Sequence, residues 1–223
     1  MNNIMSQFEA ILFDMDGVLI DSEELMSKAG MMALHDFGIE AKPEDFVPFV
    51  GRGEDLYIGG VAEKYGVKYE PVMKQHCYDH YGDYVETEAF VPAEIPELLY
   101  TLRDKGYKIA VCTSADWGKV IHNLRAMHVT KDVFDGMVTG DHITHLKPDP
   151  EIYLTGAELV GVAPEKCVVV EDSPSGIKAA NAAGMLSVGI DTSFPEELLI
   201  RESHPDVMIH SLSELLTVLE REK

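Results

Sequence analysis

Residues 10–17 read Ala-Ile-Leu-Phe-Asp-Met-Asp-Gly, and this short stretch decides the fold. Its first four residues are apolar throughout, which is typical of a strand buried on both faces of a parallel sheet. Asp14 and Asp16 follow directly, so two carboxylates are expected at the carboxyl end of that strand. In doubly wound sheets, this is the edge at which ligands bind.

The chain from Phe90 onward alternates short apolar runs with helical patterns. The predicted strands are Lys108–Thr113, Met137–Thr139, Cys167–Val170, Leu186–Ile190 and Val207–Ile209, and the predicted helices are Lys119–Met127, Glu151–Val160, Gly176–Ala183 and Leu212–Leu219. This alternation indicates βαβ units. We therefore predict an α/β fold whose core is a doubly wound, Rossmann-like parallel sheet with helices on both faces.

A helical segment interrupts this alternation after the first strand. Glu23–Phe37, Glu54–Tyr65 and Pro71–Tyr84 have helical patterns, and no convincing strand lies among them. Asp21 or Ser22 is the expected N-cap of the first helix, and Gly38 and Gly66 are expected stops. We predict an inserted α-helical cap domain at residues 21–90 and a Rossmann-like catalytic core at residues 1–20 and 91–223.

The composition excludes several classes of protein. The 223 residues carry a formal net charge of −21, which argues against nucleic acid or an anionic membrane surface as a partner. No apolar run approaches the roughly 18 residues of a membrane-spanning helix, and the N-terminus does not resemble a secretory signal. The three cysteines are far apart and lack zinc-site spacing, so we expect a reducing, cytoplasmic environment.

Polar residues follow three of the predicted strands at the same edge of the sheet, and a fourth polar segment precedes the helix that begins at Glu151. The segments are Asp14-Met15-Asp16-Gly17, Thr113-Ser114, Glu171-Asp172-Ser173 and the loop Lys147-Pro148-Asp149-Pro150, in which Asp149 is the expected helix cap. Four carboxylates at one edge are costly unless a cation lies among them. Oxygen ligands at an open site suit Mg²⁺, and the absence of histidine from these segments argues against zinc.

Each segment alone has a simpler explanation. Asp-x-Asp-Gly occurs in turns, a Thr-Ser pair often caps a helix, and acidic residues before a proline suit the start of a helix. A lysine between loops is most often a solvated charge. Because all of these residues are expected at one edge, their coincidence favours a functional site over four unrelated local features.

Four segments also carry a family resemblance. Residues 13–23 (FDMDGVLIDSE), 113–114 (TS), 147–150 (KPDP) and 170–177 (VEDSPSGI) resemble the four motifs of the haloacid dehalogenase-like superfamily. The chain is most similar to the branch of small-molecule phosphatases and β-phosphoglucomutase-like enzymes that have a helical cap after the first strand. The resemblance extends over nearly the whole chain, and the first and fourth motifs are its most specific parts.

The resemblance implies a role for each carboxylate. Asp14 would attack phosphorus and form an aspartyl-phosphate. Asp16 would protonate the leaving oxygen and later deprotonate water, and its presence favours phosphate esters over haloacids and phosphonates as substrates. Mg²⁺ would bind the Asp16 carbonyl and the carboxylates of Asp14 and Asp172. Glu171 would hold a water molecule of the metal or support the site from behind.

The same resemblance implies how the phosphoryl group is held. Thr113 and the Ser114 amide would donate hydrogen bonds to the phosphoryl oxygens, and Lys147 would neutralise charge on the phosphate and on Asp14. In the cap, Arg52 or Glu54 is expected to meet the non-reacting end of the substrate. The alternative for this loop is a plain turn between two helices.

These observations predict a Mg²⁺-dependent phosphatase that hydrolyses a small phosphate monoester, such as a sugar or polyol phosphate. Its partner would be a small phosphorylated metabolite, and no obligate protein partner is implied. The first alternative is a β-phosphoglucomutase-like mutase. Such enzymes carry a histidine after the first motif and an arginine directly before a Glu-Asp pair, whereas this chain has Met26 and Gly53. The second alternative, of a different class, is a phosphoacceptor signalling module.

Two further patterns leave alternatives open. His76 and His80 lie one helical turn apart, so they would either bind a metal or form a solvated helix surface. Asp116 and Trp117 follow the second motif and are candidates to line the site, although Trp117 would serve equally well as a core residue.

Overall fold

The computed structural model describes residues 7–49 and 53–221. In this part of the chain the strands are β1 (Ala10–Phe13), β2 (Lys108–Cys112), β3 (Gly136–Val138), β4 (Cys167–Glu171), β5 (Leu186–Ile190) and β6 (Val207–Ile209). They form one sheet in the order β3-β2-β1-β4-β5-β6, and every neighbouring pair is parallel. The predicted doubly wound α/β core is therefore confirmed.

The helices of the described residues include three that the sequence patterns did not predict. They are α1 (Glu23–His35), α2 (Pro43–Phe46), α3 (Glu54–Lys64), α4 (Pro71–Glu88), α5 (Ile95–Asp104), α6 (Trp117–Ala126), α7 (Glu151–Val160), α8 (Pro174–Ala182), α9 (Glu196–Ser203) and α10 (Leu215–Arg221). The unpredicted ones are α2, α5 and α9. Helix α2 is a single turn, and only Leu199 and Ser203 of α9 are buried, so both leave a weak periodic pattern.

The central strands bury side chains on both faces, as a parallel sheet between helices requires. One face carries branched and aromatic residues, including Ile11, Phe13, Ile109, Val111, Val168 and Val170. The other face carries smaller residues such as Ala10, Ala110 and Cys112, which pack with Ile152 and Tyr153 of α7 and Ala179 and Ala180 of α8. The small side chains let these two helices lie close to the sheet.

Strand β1 lies where the strand order reverses, with β2 on one side and β4 on the other. The amide of Asp14 donates to the carbonyl of Val170 at 3.0 Å, so the residues after β1 and β4 emerge side by side. A crevice forms at such a reversal point, outside the carboxyl ends of the strands. The topology thus places the residues after β1, β2 and β4 around one opening.

Helices α1 to α4 all lie between β1 and β2 in the chain. Where the chain leaves and re-enters the core, Asp21 and Phe90 pair through two backbone hydrogen bonds of 2.8 and 3.1 Å. The hydroxyl of Tyr81 on α4 donates to Asn123 of α6 at 2.5 Å, which joins the inserted helices to the core. A division into core and cap at residues 21 and 90 remains our proposal.

Gly38 and Gly66, the expected helix stops, both have a φ of +77°, a left-handed conformation typical of the residue after a helix. The three cysteines are buried free thiols. Within the described residues, no helix combines the length and the apolar character needed to cross a membrane.

The close packing of α7 on the sheet is tested by Gly156→Ala. A Cβ at this position would lie 2.5 Å from Sγ of Cys112 and 3.5 Å from Leu12. We expect the free energy of unfolding in urea to fall by about 1–3 kcal/mol, because overpacking costs more than the gain in helix propensity. In the double variant with Cys112→Ala, the free energy of unfolding should fall by less than the sum of the decreases in the two single variants. Additive losses would show that the two residues do not compete for space.

Candidate active site

A cavity of about 280 Å³ opens at the carboxyl edge of the sheet. The predicted site residues that line it are Asp14, Asp16, Glu54, Thr113, Ser114, Lys147, Glu171 and Asp172. Arg52 lies outside the described residues. The cavity is also lined by residues of α1, α3 and α6, so the inserted helices and the core both contribute to its wall.

Lys147 lies between two carboxylates at the base of the cavity. Its Nζ is 2.5 Å from Oδ1 of Asp14 and 2.5 Å from Oε1 of Glu171. Only 7% of the Lys147 side chain is exposed, so it is not the solvated loop charge that the sequence left open. The two carboxylates raise the pKa of the ammonium although burial opposes this, and Lys147 therefore stays charged.

The Glu171 carboxylate accepts hydrogen bonds from three residues. Besides Lys147, it accepts hydrogen bonds of 2.9 Å from the Tyr153 hydroxyl and from the amide and hydroxyl of Ser173. Burial alone would raise the pKa of Glu171, but Lys147 and Ser173 hold it below its usual value. Gly176 is required beside it, because a Cβ there would lie 1.6 Å from Oε1 of Glu171.

Asp14, Glu171 and Asp172 form a buried carboxylate group with an excess of negative charge. Oxygen atoms of the three residues all lie within 4.8 Å of one another. Burial raises the pKa of Asp14 to about 7, although Lys147 opposes the rise. Burial and the two neighbouring carboxylates raise the pKa of Asp172 well above its usual value. Hard oxygen donors that lack a compensating charge suit a divalent cation such as Mg²⁺.

A second close group of metal-type ligands, His145, Asp149 and Glu151, lies on the surface. Glu151 accepts hydrogen bonds from the amides of residues 144 and 145, and the amide of Glu151 donates to Asp149 at 2.9 Å. The Asp149 carboxylate therefore binds the first amide of α7, although the N-cap residue is Pro150 and not Asp149 as predicted, and the Glu151 carboxylate holds the preceding loop.

The loop after β1 approaches Asp172 closely. Gly17 has a φ of +79°, and a Cβ there would lie 1.9 Å from Oδ2 of Asp172. The hydroxyl of Thr192 donates to the Gly17 carbonyl at 2.5 Å, and Ser193 is hydrogen-bonded to Asp172. Only glycine fits here, so this residue lets the first and fourth motifs meet. The sequence patterns did not indicate Thr192 or Ser193.

Asp16 is surrounded by three hydrogen-bond donors. The hydroxyl of Ser22 and the amide of Asn123 donate to its Oδ1 at 2.6 and 3.4 Å, and Nζ of Lys119 lies 2.9 Å from Oδ2. Ser22 occupies the predicted N-cap position of α1, but its side chain makes no capping hydrogen bond. The predicted N-cap residue is therefore confirmed, and its hydroxyl binds Asp16 instead of the helix.

Lys119 is the principal site residue that sequence reasoning missed. It is buried, lines the cavity, and its Nζ lies 5.6 Å from the centre of the Tyr81 ring on α4. The available signal was its place on α6, where the buried stripe includes Lys119 and Asn123 among Val120 and Leu124. Two polar residues on a buried helix face need partners, and both point to Asp16.

Thr113 and Ser114 lie at the end of β2 and both line the cavity. The Thr113 amide donates to Val138 at 2.9 Å, and its hydroxyl oxygen accepts from the amide of Ala115 at 3.1 Å. The hydroxyl hydrogen is therefore available for a further acceptor in the cavity. This is the geometry needed to bind an anionic oxygen.

The remaining candidates lie away from the cavity. Asp116 contacts Lys74 at 2.6 Å and Tyr78 at 3.2 Å, and Trp117 is 40% exposed, so neither lines the site and Trp117 is not a core residue. His76 and His80 both contact Asp36, at 2.9 and 3.0 Å. They form a surface cluster on one carboxylate.

Comparisons with known proteins agree with this geometry. The family model for haloacid dehalogenase-like hydrolases matches residues 11–190. The chain is 36% identical to a phosphorylated carbohydrates phosphatase of Thermotoga maritima, over 79% of this chain and 82% of that protein. It is 28% identical to a phosphoglycolate phosphatase of Escherichia coli, over 96% of this chain and 95% of that protein.

Two further similarities concern a longer protein and the fold. The chain is 38% identical to the chloroplastic protein SUPPRESSOR OF QUENCHING 1 of Arabidopsis thaliana, with 93% of this chain matching 20% of that protein. It thus spans about a fifth of that relative's length. The structure of CbbY from Rhodobacter sphaeroides in complex with phosphate superposes with a TM-score of 0.81 at 24% identity, covering 96% of this chain and 99% of CbbY. This similarity shows a common fold.

The charge balance at the base of the cavity is tested by Lys147→Met. The substitution leaves Asp14 and Glu171 buried without a cation, so in EDTA at pH 8 we expect the free energy of unfolding to fall by about 3–5 kcal/mol. Without Lys147, burial raises the pKa of both carboxyls above their unfolded values. The folded variant then binds more protons than the unfolded chain and loses stability as the pH rises.

Urea unfolding at pH 5 and pH 8 measures this difference. The loss relative to the wild type should be smaller at pH 5, where the carboxyls of the variant are protonated. The control is Lys166→Met, because Lys166 also lies 2.5 Å from a glutamate, Glu9, but is half exposed. It should change stability little at either pH. Equal losses for Lys147→Met at both pH values would contradict the assigned charge balance.

Proposed function

The chain is a phosphatase of the haloacid dehalogenase-like hydrolase family, and we propose that it hydrolyses a small phosphate monoester through an aspartyl-phosphate on Asp14, with Mg²⁺ as its cofactor. We infer a sugar or polyol phosphate as the substrate. The observation that carries the proposal is the placement of Asp14, which lies at the end of β1 in the cavity with its Oδ1 held by Lys147. The relative that acts on phosphorylated carbohydrates supports the substrate class.

In the first half-reaction, a carboxylate oxygen of Asp14 attacks phosphorus and the bond from phosphorus to the ester oxygen breaks. Asp16 donates a proton to that departing oxygen, which leaves as an alcohol. Ser22, Lys119 and Asn123 fix the orientation of the Asp16 side chain.

In the second half-reaction, Asp16 takes a proton from a water molecule as that water attacks the phosphorus of the aspartyl-phosphate. The acyl-phosphate bond breaks, inorganic phosphate leaves, and Asp14 returns as a carboxylate. Thr113 and Ser114 donate to the phosphoryl oxygens in both steps, and the Lys147 ammonium offsets their negative charge. Donors fixed in place before the reaction stabilise the charge that develops in the transition state.

The carboxylates of Asp14 and Asp172, with the Asp16 carbonyl, are the residues that would hold Mg²⁺. Glu171 would support them from behind, since its oxygens already accept from Lys147, Tyr153 and Ser173. When bound, the cation neutralises this group and the approaching phosphate. The raised pKa values of Asp14 and Asp172 support this assignment, because burial and the neighbouring carboxylates both oppose their negative charge.

The two alternatives have less support. Met26 lines the cavity, Gly53 precedes Glu54, and no histidine lines the cavity among the described residues, whereas a mutase-like site would carry a histidine and an arginine. Membership in a hydrolase family with phosphatase relatives argues against a signalling module. A cytoplasmic location remains a prediction from the composition.

The nucleophile is tested by Asp14→Asn and Thr113→Val. With Mg²⁺ and a panel of sugar, polyol and nucleoside monophosphates, we expect Asp14→Asn to abolish phosphate release, because the amide cannot form the intermediate. Thr113→Val should lower kcat by roughly 10²–10³, as for the loss of one donor to a charged oxygen. EDTA should stop release by the wild type. Circular dichroism of each variant shows whether the fold is intact, and full activity in folded Asp14→Asn would refute the proposal.

The double role of Asp16 is tested by Asp16→Asn with two kinds of substrate. Turnover of sugar phosphates should fall by about 10²–10⁴, because an alkoxide leaves poorly without a proton. Nitrophenolate needs no proton, so p-nitrophenyl phosphate should give a burst of about one nitrophenolate per active site, followed by slow turnover that is limited by hydrolysis of the intermediate. An equal loss of turnover on both kinds of substrate, without a burst of nitrophenolate, would exclude the acid-base role of Asp16.

A further inference from the structure

We propose that Glu54 selects the substrate by charge, accepting a neutral, polyhydroxylated leaving group and disfavouring one that carries a carboxylate or a phosphate. The inference rests on the phosphatase function proposed above and concerns the end of the cavity that meets the leaving group. It assigns a specificity-determining role to a single cap residue.

The cavity has two chemically different ends. The catalytic end consists of the carboxylates, Lys147 and Thr113 described above. The cap end is lined by Ser22, Met26, Phe49, Glu54 and Tyr57. Once the phosphoryl group lies against Asp14, its ester substituent extends toward these residues. The side chains of Met26, Phe49 and Tyr57 offer apolar surface to the carbon chain of a polyol, while Glu54 and Ser22 offer hydrogen bonds.

Glu54 is a buried carboxyl with one oxygen, Oε2, that has no hydrogen-bond partner among the described residues. It is the first residue of α3 and is 9% exposed. A buried polar atom of this kind is costly unless a ligand or solvent satisfies it. The adjacent Asp55 differs, since its carboxylate is exposed and contacts Lys74 and Tyr69. The orphan oxygen of Glu54 is therefore available to accept from a substrate hydroxyl.

The cations of the cavity are already committed to other carboxylates. Among the described lining residues, Lys119 and Lys147 carry the positive charges, and they pair with Asp16 and with Asp14 and Glu171. Asp21 and Glu23 add further negative charge to the lining. Within the described lining, an anionic leaving group would thus meet carboxylates without a free ammonium to pair with. A hydroxylated, uncharged group would meet hydrogen-bond acceptors instead.

The charge of Glu54 sets the conditions for the test. Burial raises the pKa of Glu54 to about 7, with Lys119 lowering it and the carboxylates of Asp116 and Asp16 raising it. The raised pKa means that Glu54 is ionised above neutral pH and becomes neutral below it. Selection by charge is therefore measured at pH 8.5, where the carboxylate carries its full charge.

The experiment compares substrates that differ only in the group distant from phosphorus. Glycerol 3-phosphate is paired with 3-phosphoglycerate, and glucitol 6-phosphate with 6-phosphogluconate, so a CH₂OH group replaces a carboxylate in each pair. For the wild type with Mg²⁺ we expect kcat/KM to favour the neutral member. Glu54→Gln should lower that preference by roughly tenfold in at least one pair, which corresponds to about 1.4 kcal/mol. The matched control, Asp55→Asn, should leave the preference unchanged.

The outcomes separate this inference from the proposed function. A reduced preference in Glu54→Gln, together with an unchanged preference in Asp55→Asn, supports charge selection by Glu54. Asp14-dependent phosphate release that favours the anionic members, or a preference that is identical in Glu54→Gln, overturns the inference and leaves the phosphatase standing. If no substrate yields Asp14-dependent phosphate release, the proposed function itself fails.

Discussion

The structure depends on the cost of placing several carboxylates at one edge of a sheet. Oxygen atoms of Asp14, Glu171 and Asp172 lie within 4.8 Å of one another, and the buried Lys147 compensates only part of their charge. Like charges at this separation in a poorly solvated site repel strongly unless a proton or a cation is bound. Burial and this repulsion together raise the pKa values of Asp14 and Asp172. The carboxylate group therefore destabilises the fold by itself, and the proposed divalent cation would relieve that cost.

The inserted helices also help to position the second aspartate, Asp16, by surrounding its charge with donors. Asp16 receives donors from Ser22 at the start of the insertion and from Lys119 and Asn123 of the core helix α6. Tyr81 of the inserted helix α4 contacts Asn123 and faces Lys119. A general acid that must also act as a base needs a fixed position. Here that position is set jointly by the core and by the helices above it, so movement of those helices would alter the surroundings of Asp16.

Much of the fold could be predicted from the sequence because buried parallel strands are apolar throughout. Each strand predicted from such a run is present, with every end within one residue of the prediction. The sequence also indicated which carboxylates meet, since Asp14 and Asp172 follow adjacent strands. Lys119 was missed because the buried face of α6 indicates only that its two polar residues need partners, and the partners Asp16 and Tyr81 are known only from the structure. The roles of these side chains remain predictions.

The strongly acidic chain is compatible with an anionic substrate because the surface charges lie in water, whereas the charges of the cavity lie in a less polar environment. Surface carboxylates are screened over roughly 10 Å at physiological ionic strength, so the net charge of −21 has little influence on a phosphate inside the cavity. Inside the cavity the dielectric constant is lower, so single charges determine whether an anionic group binds. In the proposed function, Lys147 and a divalent cation would offset the carboxylates and attract phosphate. At the cap end, Lys119 is the nearby cation of the described residues, and it already pairs with Asp16, so a second anionic group would be disfavoured there.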